Sequence, residues 1–335
     1  MVKIKDVATA AGVSTATVSR VLSGKPHVRP AVRAKVMAVV GELGYRPNRV
    51  ARNLRSRRSN IIALIVADIE NPFFQQVSRA VEDTANAAGF SVILCNNDED
   101  ERKESRYLEL VHDENLAGVI LSPTRGAAEY VNSTAALGVP IVVIDRRVRH
   151  AAVDSVFIDN ERAAYDLVGH LIEHGYRRIA AIFGAGTTTG KERRAGCLRA
   201  LREQGLRPMK EVVIAAAPTE EDGYACTRKL LSRSLPLDAL VTSNSLLAAG
   251  ALLAMREANV NIPADMAFAS FYDTTWARLL EPPLTVIQQP THEIGRTAAR
   301  MLVDRIAQPE RPHREITLHA KLIIRQSCGC RKSCR

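Results

Sequence analysis

Several things are scarce in this chain of 335 residues. Aromatic side chains make up only 4%, with a single tryptophan, so its cores must be packed chiefly from Ala, Val, Leu and Ile. Long apolar runs are missing too. The stretch Ile61–Ala67 is far too short to cross a bilayer. The opening residues Met1-Val2-Lys3-Ile4-Lys5-Asp6 lack the apolar centre of a secretory signal. Six cysteines in this length do not make a disulfide scaffold. These absences speak against a membrane protein and an exported one, and the expectation is a cytoplasmic protein with reduced thiols.

The last scarcity is local. Residues 1–60 carry 13 Lys and Arg but only two acids, Asp6 and Glu42, while the remaining 275 carry 33 bases and 34 acids. The net charge of +10 is therefore an N-terminal +11 attached to a nearly neutral remainder. Charge confined in this way points to a polyanion-binding head and a body with a separate task. What is present otherwise is ordinary: 46% hydrophobic and 24% charged residues, in a length that suggests two or three domains.

The head reads as a helix-turn-helix. Ile4, Val7, Ala8 and Ala11 share one helical face, Gly12 allows the break, and Ser14 can cap the next helix. In that second helix Val18, Val21 and Leu22 face inward and leave Thr15, Ala16, Thr17, Ser19 and Arg20 outside. Small side chains let a backbone approach the major groove, hydroxyls reach phosphates, and an Arg can bond guanine through two donors. A third helix should start at Pro30 and run to about Leu43, with Val32, Val36, Val39, Val40 and Leu43 as its stripe. Residues 49–58 then hold five arginines around Val50, Ala51 and Leu54.

Taken in order, Asp6-Val7-Ala8, Ala11-Gly12-Val13-Ser14, Thr17-Val18-Ser19-Arg20-Val21-Leu22, Gly44-Tyr45-Arg46-Pro47-Asn48 and Ala51-Arg52-Asn53-Leu54 resemble the head of the lactose-repressor/galactose-repressor (LacI/GalR) family of bacterial transcription regulators. The resemblance implies that Thr15, Ala16 and Arg20 read bases, and that Thr17, Ser19, His27 and Asn48 contact the DNA backbone. It also implies a hinge helix containing Val50, Ala51 and Leu54, whose Leu wedges into the minor groove. An apolar wedge between arginines suits an unstacked base step; the plainer alternative is an amphipathic linker.

From Ile61 the pattern changes to apolar strand-length runs alternating with helical stretches. Strands are expected at 61–66, 91–95, 118–121, 141–144 and 153–158, and again at 179–183, 212–216, 239–242 and 266–270. Two such series argue for doubly wound parallel sheets in two lobes. The segments Asp68-Ile69-Glu70-Asn71-Pro72-Phe73-Phe74, Ile144-Asp145-Arg146, Ile158-Asp159-Asn160, His174-Gly175-Tyr176-Arg177-Arg178-Ile179, Arg193-Arg194-Ala195-Gly196 and Pro283–Pro290 resemble the periplasmic-binding-protein-like effector domain of the same family. The implied organisation is a DNA-binding domain at 1–48, a hinge at 49–60 and an effector-binding, dimerising domain at 61–326. Its N-lobe would span about 61–160 and 290–319, its C-lobe about 161–289 and 320–326.

Ligands in such sheets lie beyond the carboxyl ends of the strands. Those ends carry Asp68 with Phe73 and Phe74, Ser122, Asp145, Arg193, Asn244 and Asp273 as candidate effector contacts. Carboxylates and an Arg suit the hydroxyls of a sugar-like molecule. For Asp145, Arg193 and Asp273 the alternative is a structural ion pair, and for Phe73 and Phe74 it is core or dimer packing. Asn244-Ser245 departs from the family's common Asn-Asp, and Ser270-Phe271-Tyr272-Asp273 departs from its Gly-containing turn, so no particular sugar is carried over.

Two signals are set aside. Gly184–Glu192 mimics a phosphate loop, but Ala185 stands where its first Gly belongs and Glu192 where Ser or Thr should bind Mg²⁺. The end, Cys328-Gly329-Cys330-Arg331-Lys332-Ser333-Cys334-Arg335, has no second metal-binding knuckle and is expected to be a flexible basic tail over 327–335. The expectation is a regulator, with no catalytic residues, metal or cofactor. Its expected partners are a pseudo-palindromic operator in double-stranded DNA, a second copy of itself and a small polar effector. The rivals are a sugar-transport binding protein, which the body alone would allow, and an enzyme, for which no nucleophile and base are in view.

Overall fold

The first 59 residues and the remainder form separate units, Met1–Ser59 and Asn60–Arg335. The computed structural model describes residues 2–22, 28–45, 59–148, 151–208, 212–233 and 235–330.

In the first unit, α1 (Ile4–Ala11) opens with the Asp6 carboxylate accepting the Lys3 N–H at 2.8 Å. It closes at Gly12, whose φ of 65° is costly for any side chain. Ser14 Oγ then accepts the Thr17 N–H at 3.1 Å and starts α2 (Thr15–Leu22). Pro30 begins α3 (Pro30–Glu42). The three helices close on Val7, Ala8, Ala11, Val18, Val21, Val36 and Val39. Leu43, expected in the α3 stripe, falls after the helix and is exposed, because the C-cap residue has left the buried face.

The second unit alternates strands and helices. Its first series is β1 (Ile61–Val66), α4 (Pro72–Ala87), β2 (Ser91–Asn96), α5 (Glu101–Asp113), β3 (Gly118–Leu121), α6 (Ala128–Ala136), β4 (Ile141–Ile144) and β5 (Asp154–Ile158). The second is α7 (Asn160–Glu173), β6 (Ile179–Gly184), α8 (Thr188–Glu203), β7 (Val213–Ala216), α9 (Glu220–Leu231), β8 (Ala239–Thr242), α10 (Ser245–Glu257), β9 (Ala267–Phe271) and β10 (Thr285–Gln288). The chain then makes α11 (Thr291–Ala307), β11 (Glu315–Leu318) and β12 (Lys321–Ile323).

Two six-stranded sheets result, ordered β11-β5-β4-β3-β1-β2 and β12-β10-β9-β8-β6-β7. All pairings are parallel except β10 with β12. The central strands are apolar on both faces because helices cover both faces, as Ile62–Val66 show by being buried throughout. Thus α11 and β11 return to the first sheet and β12 to the second.

Backbone-to-backbone helix contacts explain two glycines. A Cβ on Gly196 of α8 would stand 2.0 Å from the Glu161 carbonyl oxygen of α7, and one on Gly250 of α10 would stand 1.9 Å from that of Glu220. The first lobe is also pinned by a buried ion pair. Arg305 of α11 donates to Asp154 of β5 through Nε at 2.9 Å and Nη2 at 3.2 Å.

The C-terminus corrects an expectation. Residues 327–330 do not form a free tail: Ser327 and Cys328 are fully buried. Ser327 Oγ donates to the Phe268 carbonyl at 2.6 Å and accepts the Thr285 N–H at 2.8 Å, which draws this segment against β9 and β10; the rest of the expected tail, 331–335, lies outside the described residues.

Candidate functional site

On α2 the side chains of Thr15, Ala16 and Arg20 are exposed, while Thr17 and Ser19 are half-buried. The Thr17 hydroxyl lies 2.9 Å from Ser14 Oγ, within the cap of the helix. Val18 and Val21 anchor the opposite face in the head's core, so the helix presents its small polar side outward. His27, Asn48, Val50, Ala51 and Leu54 lie outside the described residues.

The larger unit holds a cavity of about 620 Å³, within the usual size of a small-molecule site. Asp68, Phe73, Phe74, Asp145, Arg193 and Asn244 all line it, drawn from both lobes. Parallel topology aims helix N-termini at this cavity. The cap residues Asn71, Thr187, Thr219 and Asn244 of α4, α8, α9 and α10 line it, each accepting a backbone N–H of its own helix. Four positive dipole ends therefore converge on a space that also holds carboxylates. This mixture of donors and acceptors suits a neutral, hydroxyl-rich molecule better than a strongly charged one.

Arg193 is the most constrained group there. Its Nε donates to Asn160 Oδ1 at 2.8 Å, Nη1 to the Ser243 carbonyl at 2.6 Å and Nη2 to Gln289 Oε1 at 3.3 Å. Its guanidinium lies 4.3 Å from the centre of the Phe271 ring. These bonds use three of five N–H groups. Burial pulls its pKa down to about 10, with nearby Asp145 pulling the other way.

Asp145 follows β4 with a φ of 65°, a strained conformation for Asp that turns it off the strand end. Burial pushes its carboxyl above the usual range, while Arg146 and Arg193 oppose the shift. Arg146 is held in turn by the Glu99 carboxylate and by the Pro123 carbonyl at 3.2 Å. Asp68 accepts the Glu70 N–H at 2.8 Å, an Asx turn that leads into α4.

Two expected residues are not brought to the cavity. Ser122 is fully buried beside a polar cluster in which Asn97 Nδ2 bonds both its carbonyl and the Glu104 carboxylate. Asp273 faces Arg325, whose Nη2 donates to it at 2.8 Å. Its neighbour takes the place: Tyr272, with a φ of 80°, lines the cavity while Asp273 is tied away by its ion pair.

Sequence reasoning missed Tyr272, although its signal was the absence of the family's Gly at this turn. The Tyr272 hydroxyl donates to the Pro72 carbonyl at 2.9 Å, joining the lobes, and its ring stands 6.2 Å from that of Phe73. Phe73 and Phe74, 5.0 Å apart and edge to face, are nearly buried, so they serve packing as well as lining the cavity. The loop that mimics a phosphate site is built otherwise. Thr187 Oγ1 caps Gly190, and Glu192 takes Arg147 and Asn160 as partners, each at 2.9 Å.

Comparisons with known proteins agree with this arrangement. Residues 3–48 match the family model described as bacterial regulatory proteins, lacI family. Residues 59–326 match that of periplasmic binding proteins and the sugar binding domain of the LacI family. The HTH-type transcriptional regulator DegA of Bacillus subtilis (strain 168) is 33% identical over 328 residues, covering 97% of both chains. A solved complex of the transcriptional regulator CelR with cellobiose is 31% identical, with a TM-score of 0.74 over 98% of this chain and all of that one. The lac repressor dimer bound to operator and the anti-inducer ONPF is 25% identical, with a TM-score of 0.86 over 98% and 99% of the two chains. Among the described residues no helix is long and apolar enough to cross a membrane. Relatives of this kind are regulators and not enzymes. A helix-turn-helix head and a two-lobed sugar-binding body, each matched along its length, place the chain in the LacI family of DNA-binding bacterial transcriptional regulators.

Proposed function

We propose that this chain is a cytoplasmic repressor whose hold on its operator is set by a small carbohydrate-like effector in the cavity between the lobes. In this reading residues 1–48 bind DNA, 49–60 form the hinge and 61–326 bind effector and dimerise. Thr15, Ala16 and Arg20 read bases; Thr17, Ser19, His27 and Asn48 contact the DNA backbone; Val50, Ala51 and Leu54 belong to the hinge. A dimer places two recognition helices on the halves of a pseudo-palindrome. The lac repressor, a dimer on its operator, and CelR with cellobiose are similar proteins that support the reading.

The observation that carries it is the composition of the cavity wall. Asp68 and Asp145 supply acceptors, Arg193 and Asn244 supply donors, and Phe73, Phe74 and Tyr272 supply ring faces, drawn from both lobes. A ligand touching both lobes binds best to one of their relative orientations. It therefore shifts the equilibrium toward that orientation by its differential affinity and changes DNA affinity by linkage. The sign follows from which state the ligand prefers.

The test is a thermal-shift screen of sugars and sugar derivatives, followed by operator binding with and without each hit. Operator affinity should fall steeply with salt and change in the presence of a hit. Salt-insensitive DNA binding, or hits that leave operator affinity unaltered, would refute the proposal.

A further inference from the structure

At the opposite end of α7 from the cavity, two histidines meet the chain's C-terminal turn. His170 lies in the last turn of α7, and His174 is its C-cap. They are four residues apart, so they share a helix face, and their rings stand 4.3 Å apart. The segment Gln326–Cys328 forms a 3-10 turn against them. Gly329, with a φ of 81°, then turns Cys330 back, and a Cβ there would stand 2.7 Å from the Tyr176 hydroxyl.

The donor atoms of His170, Cys328 and Cys330 all lie within 4.8 Å of one another. His170 Nε2 is 3.2 Å from Cys328 Sγ and 3.7 Å from Cys330 Sγ, and the two sulfurs are 3.2 Å apart. His174 Nε2 is 2.9 Å from Cys330 Sγ. Around a tetrahedral zinc with Zn–S of about 2.3 Å and Zn–N of about 2.0 Å, neighbouring donors stand about 3.3–3.8 Å apart. The four donor–donor distances of this cluster are at that spacing or slightly tighter; His174 stands beside Cys330, outside the group of three whose donors are all mutually close.

The surroundings suit ligation. His174 Nδ1 donates to the His170 carbonyl at 2.8 Å, which fixes the tautomer and leaves Nε2 with its lone pair toward the sulfur. Thr285 Oγ1 lies 3.1 Å from both Cys328 Sγ and the Arg325 carbonyl, which itself stands 3.1 Å from that sulfur. Two thiolates and two neutral imidazoles balance the charge of a divalent ion.

We propose that His170, His174, Cys328 and Cys330 form a zinc(II) site that staples the C-terminal turn to α7, contrary to the metal-free tail the sequence suggests. Two sulfurs and two imidazoles are a structural zinc set, which closes to a tetrahedron with no open position when His174 draws in beside Cys330 as the fourth ligand. The ion would fix the far end of the helix whose first residue, Asn160, holds Arg193 in the cavity.

The experiment uses the full chain purified under reductant without chelator. Elemental analysis should find about one zinc per chain. After zinc is stripped, thermal unfolding should shift to lower temperature and recover on adding zinc alone. Cobalt(II) should give thiolate charge-transfer and tetrahedral d–d bands. Cys330→Ser and His174→Gln, both at the rim of the cluster, should each weaken zinc binding by at least about ten-fold and leave the metal-free protein's unfolding unchanged. Cys334, outside the described residues, should be dispensable, so Cys334→Ser keeps the ion. Four outcomes would overturn the site: no zinc uptake by the reduced protein, an octahedral cobalt spectrum, wild-type affinity in both rim variants, or loss of zinc in Cys334→Ser. Formation of a Cys328–Cys330 disulfide as fast with zinc as without it would overturn it as well.

Discussion

The head and the body use their functional side chains in opposite ways. In the head, seven small Val and Ala residues make the core, and Thr15, Ala16 and Arg20 of α2, proposed to read bases, stand outside it. In the body, the side chains that line the cavity are tied into the fold. Arg193 is bonded to Asn160, Ser243 and Gln289, and Asp145 is flanked by Arg146, itself clamped by Glu99. Exposed positions of that proposed reading face should therefore tolerate change with less loss of stability than body positions that share a polar network.

The largest effect should come where the body's polar groups are deepest. Asp154 is 1% exposed and Arg305 7%, and Asp154 also accepts the Arg314 N–H at 2.8 Å. Asp154→Ala should cost about 3–5 kcal/mol in urea unfolding, because it leaves a buried guanidinium without its counter-charge, held only by the neutral partners around it. Replacing the pair together, Asp154→Leu with Arg305→Met, should recover part of that loss, since the Arg314 N–H and the carbonyls that Arg305 serves still lose a partner. A small loss in the single variant would break the contrast between the regions.

Next is Arg193→Met, which keeps much of the aliphatic volume and removes the charge. Effector affinity should fall by about 2–5 kcal/mol in calorimetric titration, since the wall's remaining acceptors lose their donor. Operator affinity without effector should stay unchanged. Arg20→Ala should do the reverse. Specific operator affinity should fall by about 1–3 kcal/mol, with discrimination relaxed at one base pair. Melting temperature and effector affinity should not move, as expected of an exposed site.

The same contrast governs what could be read in the sequence. The head was legible because its signals are local: Gly12 and Ser14 mark the turn within three residues, and the apolar face of α2 leaves its reading face by subtraction. The strands were legible because continuous runs such as Ile62–Val66 report burial on both faces. Asp145, Arg193 and Asn244 could be placed at the cavity from topology alone, since strand ends converge there. Long-range partners were not legible. Arg325 is 52 residues from the Asp273 it ties away from the cavity. Cys328 is 158 residues from His170, and its basic neighbours make the segment look like a solvated tail. A one-residue offset in a turn exchanges inside for outside, so Tyr272 and Asp273 traded roles.

Tyr272 gives the finest probe, because one of its atoms, the hydroxyl oxygen, makes a bond across the two lobes. Tyr272→Phe keeps the ring beside Phe73 and deletes only the bond to the Pro72 carbonyl. The expected change is about 1 kcal/mol, the net value of one such bond. Its sign in effector titration carries the information. If the bond exists chiefly with effector bound, the variant binds effector about fivefold more weakly and its ligand-free stability is unchanged. If it belongs to the ligand-free state, the variant loses stability and binds effector more tightly, because the competing state has been weakened. Equal presence in both states lowers stability and leaves affinity alone. An unchanged protein on both measures would mean that this hydroxyl does not couple the lobes, and the body's buried polar groups would then be less uniform in role than the comparison with the head implies.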